Sequence, residues 1–211
     1  MSRENAPRRG SEKRRAIIDG AREVFGRDGY TRASIDTIAK AAGVSTRTIY
    51  NHFADKGELF REVILESAAE VRDAQLADLD RHLGKIVDLE ADLNALGRAF
   101  TAVMYQFGSH FSLVRQINAD VGHIPEEVLA AWQETGPQQV QADLARRLAE
   151  LGDKGLLEIS DPQRAAVHFV LLVGGEVRSR TFSGAQPIDE DELNAIVTPG
   201  VEVFLRAYRP Q

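Results

Sequence analysis

The sequence predicts an all-α fold, with a small N-terminal unit of three helices followed by a larger helical domain. Three observations predict it. Ile35, Ile38, Ala39 and Ala42 recur at helical spacing, and Gly43 then supplies the permissive backbone of a tight turn before a second short helix. Helix-start signals recur down the chain at Ser34, Ser45, Asp55, Asp161-Pro162 and Asp189. No alternating apolar-polar run is long enough to make a strand, and no internal repeat is present. The expected division is a basic disordered arm over 1–10, a helix-turn-helix domain over 11–58 and a C-terminal domain over 59–211.

The first residues, with Arg3, Arg8, Arg9, Lys13, Arg14 and Arg15 around Pro7 and Gly10, read as unfolded to about Ser11, either as a solubilising tail or as an arm that follows the phosphates or enters an adjacent minor groove. Ile17, Ala21, Val24 and Phe25 give the first helix its buried stripe, and Gly29 ends it. The second helix opens at Ser34, and the third at Ser45, an N-cap whose hydroxyl can take an orphan amide. Asp55, with Glu58 three residues on, is a capping-box-like start for a long helix to about Leu83. A helix is expected over about 88–107, a short one over 111–121, one from Pro125 through Trp132, and another after Gly136-Pro137 to Leu151. Asp161-Pro162 opens a helix to about Thr181. The last begins near Asp189 with an acidic first turn that complements its dipole, and Pro199 is expected to kink or divide it.

The pair of helices around Gly43 is a helix-turn-helix, a layout that offers polar side chains to the DNA major groove. With Ile49 inward and about 100° of turn per residue, Arg47 and Asn51 point outward, Thr48 and Tyr50 lie on the shoulders, and Thr46 and His52 sit nearer the buried side. Arg47 and Asn51 can make the bidentate contacts that read guanine or adenine, and Thr46 can reach a base edge from the helix start. Tyr50 and His52 suit phosphate or sugar. Ser34 and Lys56 open the flanking helices, where free amides, a dipole end and an ammonium favour a phosphate, and Thr37 can join them.

Charge supports this reading. Residues 1–60 hold 12 Lys/Arg against 8 Asp/Glu, a net of +4; the remaining residues hold 14 against 24, a net of −10. A basic excess confined to one end of an acidic chain is the footprint of a nucleic-acid binder with a separate second domain.

The run I-A-x-x-A-G-V-S-x-x-x-I-Y-x-H-F-x-x-K-x-x-L, from Ile38 onward, resembles the signature of the tetracycline-repressor-type (TetR/AcrR) transcriptional regulators. Ala21, Phe25, Gly29 and Tyr30 resemble that family's first helix, so the match covers about residues 13–65. It implies phosphate and base contacts at Ser34, Thr46, Arg47, Thr48, Tyr50, Asn51, His52 and Lys56. It also implies a homodimer on a double-stranded, roughly palindromic operator, and a ligand-binding and dimerisation domain whose small-molecule effector releases DNA. Residues 111–181 resemble the C-terminal domain of the AefR-like branch.

In the larger domain, Phe100, Met104, Tyr105, Phe107, His110, Phe111, Gln116, His123, Trp132, His168 and Phe169 are aromatic and polar residues of the kind that line a small-molecule site, though such stripes also build cores. The last two helices carry much apolar surface. Val167, Val170, Leu171, Gly174 and Val177 lie on one, and Leu193, Ile196, Val197, Val201, Phe204 and Leu205 on the other. The resemblance assigns them to a four-helix bundle between two subunits, with Gly174-Gly175 allowing close approach.

Other classes find little support. No nucleophile elbow, P-loop, dinucleotide fingerprint or zinc-protease motif occurs, so no enzyme and no cofactor is expected. The chain has no cysteine and its five histidines are scattered, so no metal is expected. No secretory signal and no membrane span is read, and a cytoplasmic location is expected. An activator, or a DNA-binding protein without a ligand, fits the same residues as a repressor does.

Overall fold

The computed structural model describes residues 6–210, with side chains from residue 11. Its elements are α1 (Ala6–Arg32), α2 (Ile35–Ala42), α3 (Thr46–Tyr50), α4 (Lys56–Leu83), α5 (Leu89–Gln106), α6 (Gly108–Asp120), a 3-10 turn (Val121–His123), α7 (Glu126–Thr135), α8 (Pro137–Asp153), α9 (Pro162–Arg180) and α10 (Glu190–Tyr208). Among the described residues there is no strand.

The start signals act where the sequence places them. Ser34, Ser45, Asp161 and Asp189 each accept a backbone N–H in the first turn of the helix they precede, as does Asp88 before α5, where the sequence reading names no cap. Asp55 accepts from Glu58 N, and the Glu58 carboxylate reaches back to the Ala54 amide, so the cap of α4 includes one residue more than a standard box.

The basic arm differs from expectation: α1 begins at Ala6 and not at about Ser11, and residues 1–5, with Arg3, lie outside the described residues. Of the two outcomes expected at Pro199, division does not occur, and α10 runs through it as one helix. Pro199 and Ala195, whose carbonyl loses its usual i+4 donor, are both exposed, so the carbonyl left without that donor is not sealed in the core.

The chain forms two compact units, and the division differs from the expected 58/59 boundary. The first, called the head, runs to Ala68 and includes Ser109–Trp132; the second, the body, comprises Ala69–Gly108 and Gln133–Gln211. The boundary moves because Leu59, Phe60, Val63 and Ile64 of α4 bury in the head's own core, beside Ile17, Phe25, Ile38, Ile49, Leu113 and Ile117. Periodicity shows that α4 has an inward stripe but not which core takes it.

In the body, α5, α8, α9 and α10 enclose Leu93, Leu96, Phe100, Leu144, Leu148, Phe169, Val173, Val197, Val201 and Phe204. Glycine lets these helices approach. A Cβ on Gly200 would lie 2.4 Å from the Leu172 carbonyl oxygen, and one on Gly97 would lie 2.8 Å from Val197 Cγ1. Arg147 of α8 is bonded to the Asp143 and Asp80 carboxylates and the Leu79 carbonyl oxygen, tying α8 to the end of α4.

Candidate nucleic-acid interface

The exposed edge of the head is built on a rigid turn. Gly43 closes α2 in the left-handed region (φ 63°), its N–H donating to Lys40 O and the following Val44 N–H to Ala39 O. Ser45 then caps α3: its Oγ accepts from Thr48 N at 3.1 Å and lies 2.8 Å from Thr48 Oγ1. These bonds fix the phase of a five-residue helix. Ile49 is fully buried, so Arg47, Tyr50 and Asn51 are exposed, Tyr50 to 56%. Thr46, Thr48 and His52 are half-buried, and Asn51 is the C-cap. The structure thus brings together on one edge the polar residues that the sequence placed there.

The flanking positions are partly engaged within the head. Ser34 Oγ accepts from Thr37 N at 3.1 Å and lies 2.8 Å from Thr37 Oγ1, so both hydroxyls serve the start of α2. Lys56 Nζ donates to Tyr30 O at 2.9 Å and Ala33 O at 3.1 Å, and sits 4.6 Å from the centre of the Tyr30 ring. An ammonium has three donors, so one remains for a phosphate. Sequence reasoning gave Lys56 only an outward role and missed its inward one. Arg14 and Arg15, read with the basic arm, lie on α1 and face α4. Arg14 is 2.6 Å from Glu62 and stacked over Phe53 at 5.5 Å, and Arg15 pairs with Glu66 and Asp19.

A further contact has no signal in the sequence. At Gly29 the backbone breaks from helical geometry (φ 81°, ψ 169°), and the Thr31 N–H freed there donates to Asp120 Oδ2 of α6 at 3.2 Å. Ser112, also on α6, donates to Gly26 O at 2.7 Å.

The eleven residues suggested for a ligand divide between the units. In the body, Phe100 and Phe169 are core residues, Phe169 edge-on to Phe204 at 5.3 Å. Met104 is buried, Phe107 is half-buried at the C-cap of α5, and exposed Tyr105 donates to Gln186 O. His168 is exposed and bonded to the Tyr208 hydroxyl. In the head, His110 is buried with Nδ1 2.9 Å from Ser67 Oγ, and Phe111 meets its ring edge-on at 5.1 Å. Gln116 is half-buried beside Gly29, His123 is exposed, and Trp132 is half-buried with an Nε1–H that has no acceptor. Of these residues, Phe100 and Phe169 pack the body's core, and His123 and His168 stand on the surface.

The residues expected at a dimer interface divide by burial. Val177, Ile196, Val197, Val201, Phe204 and Leu205 are buried in the subunit itself. Leu171 is 60% exposed, and Val167, Val170, Gly174 and Leu193 are half-buried. Helices with apolar residues on two faces give no clue in sequence to which face is internal.

Among the described residues no group of three or more His, Asp or Glu is placed to hold a metal, and no helix is long and apolar enough to cross a membrane.

Comparison with known proteins agrees with this geometry. Residues 17–63 match the tetR family of bacterial regulatory proteins, and residues 91–210 match the C-terminal domain of AefR-like transcriptional repressors. The HTH-type repressor AcnR of Corynebacterium glutamicum is 28% identical over 81% of this chain and 95% of its own length. AcrR of Shigella flexneri is 40% identical, but the match spans only 31% of this chain and 30% of that protein. A TetR-family regulator of Mesorhizobium loti superposes with a TM-score of 0.83 at 32% identity, covering 96% of this chain and 99% of that one. The flavonoid-responsive regulator FrrA gives 0.73 at 27% identity, covering 95% and 99%. The chain belongs to the TetR family of transcriptional regulators, DNA-binding proteins and not enzymes, with a C-terminal domain of the AefR-like type.

Proposed function

We propose that the protein is a repressor that binds a palindromic operator as a homodimer and is released by a small-molecule effector. The observation that carries the operator reading is α3: one fully buried residue, Ile49, sets Arg47 and Asn51 outward on a capped, rigid helix. Arg47, Asn51 and Thr46 read base edges, while Tyr50, His52, Thr48, Ser34, Thr37 and the third donor of Lys56 hold the backbone. The repressor sense follows the names of AcnR and of the AefR-like domain.

Pairing through the outer faces of α9 and α10 is supported by Leu171 and by Val203, which is 48% exposed. Gly175 adds to this. A Cβ there would meet nothing within 4 Å, so the subunit's own packing does not require a glycine, whereas a second helix at close range would. A C2 pair sets two copies of α3 about one DNA turn (~34 Å) or a multiple apart.

An effector is supported by the buried His110–Ser67 pair and by the buried Trp132 Nε1–H without an acceptor, polar groups of the kind that orient a ligand. FrrA is, by its name, responsive to flavonoids. Selection of duplexes from a random pool, followed by a screen for compounds that release the best one, tests the reading. An enriched palindrome and a releasing compound are expected; no preference for any duplex over bulk competitor refutes it.

A further inference from the structure

The segment 29–33 joins α1 to the cap of α2 and is held from two sides. From α4, the Lys56 ammonium binds the Tyr30 and Ala33 carbonyl oxygens. From α6, the Asp120 carboxylate binds the Thr31 N–H across 89 residues of sequence. Gly29 allows both. Its backbone occupies a region open essentially to glycine alone. A Cβ there would also lie 2.8 Å from Asp120 Oδ2 and 2.9 Å from Gln116 Oε1. The carboxylate is thus seated against bare backbone. It fixes the strand of peptide whose two carbonyl oxygens aim Lys56.

We propose that Asp120 is a positioning residue for DNA: by holding Thr31 it sets the joint that orients Lys56 toward a phosphate. The inference rests on the phosphate role given above to Lys56. Asp120 itself bears the wrong charge to touch DNA, and this makes its role separable. Replacing it with Asn or Ala removes the same repulsive charge, which alone tightens DNA binding in both variants. Only Ala removes the acceptor for Thr31 N–H.

The test is binding of the full chain to a labelled mixed-sequence duplex across a salt series. Lys56→Ala should lower the slope of log affinity against log salt by about 0.9 per subunit, so by about 1.8 for the homodimer, or roughly sixtyfold in affinity at 0.1 M salt. Asp120→Ala should show a loss of the same kind, and Asp120→Asn should bind at least as well as the wild type. Asn and Ala variants that behave alike overturn the proposal, as does an Ala variant with the wild-type slope. If Lys56→Ala leaves the slope unchanged, the phosphate role of Lys56 fails and the positioning role with it. If Lys56→Ala lowers the slope and Asp120→Ala does not, only the positioning role fails. Thermal unfolding of each variant separates lost stability from lost affinity, because a merely structural contact lowers the midpoint without changing the slope. Amide exchange needs no variant. The Thr31 N–H should be protected in the free wild-type protein, and exchange at the free-peptide rate overturns the proposal.

Discussion

The short helix α3 and the long helix α9 show opposite ways of placing side chains. In α3 a single buried residue and a serine cap determine which side chains face outward. In α9, Ala165, Ala166, Phe169, Val173 and Val177 are buried, with Val170 packed against the same core, yet Val167 and Leu171 carry apolar surface away from it. A helix with one apolar face declares its exposed residues; a helix with two does not. Five residues with one apolar face therefore reveal more of their role than nineteen with two.

The largest expected effect separates the two faces of the body. Phe204→Ala should destabilise the subunit by about 3–5 kcal/mol in denaturant unfolding, since the side chain is fully buried between Phe169 and Tyr208. Leu171→Ser should leave subunit stability within about 0.5 kcal/mol, because the residue is mostly exposed. Its effect should appear in sedimentation, as dissociation at concentrations where the wild type remains paired. Equal stability losses in the two variants would erase the distinction between the faces.

On the head, Arg47→Ala should relax preference at one operator position at a cost of about 1–3 kcal/mol, and Tyr50→Ala should weaken binding to all sequences alike. Binding to a panel of single-substituted duplexes reads both, and a uniform loss for Arg47→Ala would count against its base contact. Gly175→Ala sets local against intermolecular preference within α9. It should raise the stability of the isolated subunit by up to about 1 kcal/mol, as alanine is the better helix former, while weakening the dimer. Ser45→Ala should cost about 1 kcal/mol, measured by thermal unfolding, through loss of the α3 cap.

The smallest effect depends on pH. Burial opposes ionisation of Asp143, but hydrogen bonds from Arg147 and Arg146 outweigh it and hold the carboxyl below its ordinary value of 3.8. Its contribution to stability is therefore present above that value and lost as pH falls through the depressed one. Asp143→Asn should flatten the acid side of the stability profile, most visibly below about pH 4. An unchanged profile would show that the α8 arginines do not depend on this carboxylate.

The caps at Ser34, Ser45, Asp161 and Asp189, the Gly43 turn and the outward set on α3 were all legible in sequence, because each depends on neighbours within four residues. What was not legible depends on distant partners. The inward bonds of Lys56 join residues 23 and 26 positions apart, and Asp120 meets Thr31 at 89. The burial of six dimer candidates within the subunit, and of Phe100 and Phe169 in its core, was not legible for the same reason. Hydrophobicity reports that a side chain avoids water, not which surface shelters it.

The close approach at Gly200 has a practical consequence for altering this scaffold. A methyl group there would collide with a carbonyl oxygen of the neighbouring backbone, which cannot swing aside as a side chain can. Mutagenesis libraries aimed at new specificities should leave that position fixed and diversify side chains elsewhere. There, a misfit displaces a rotamer and not the whole helix.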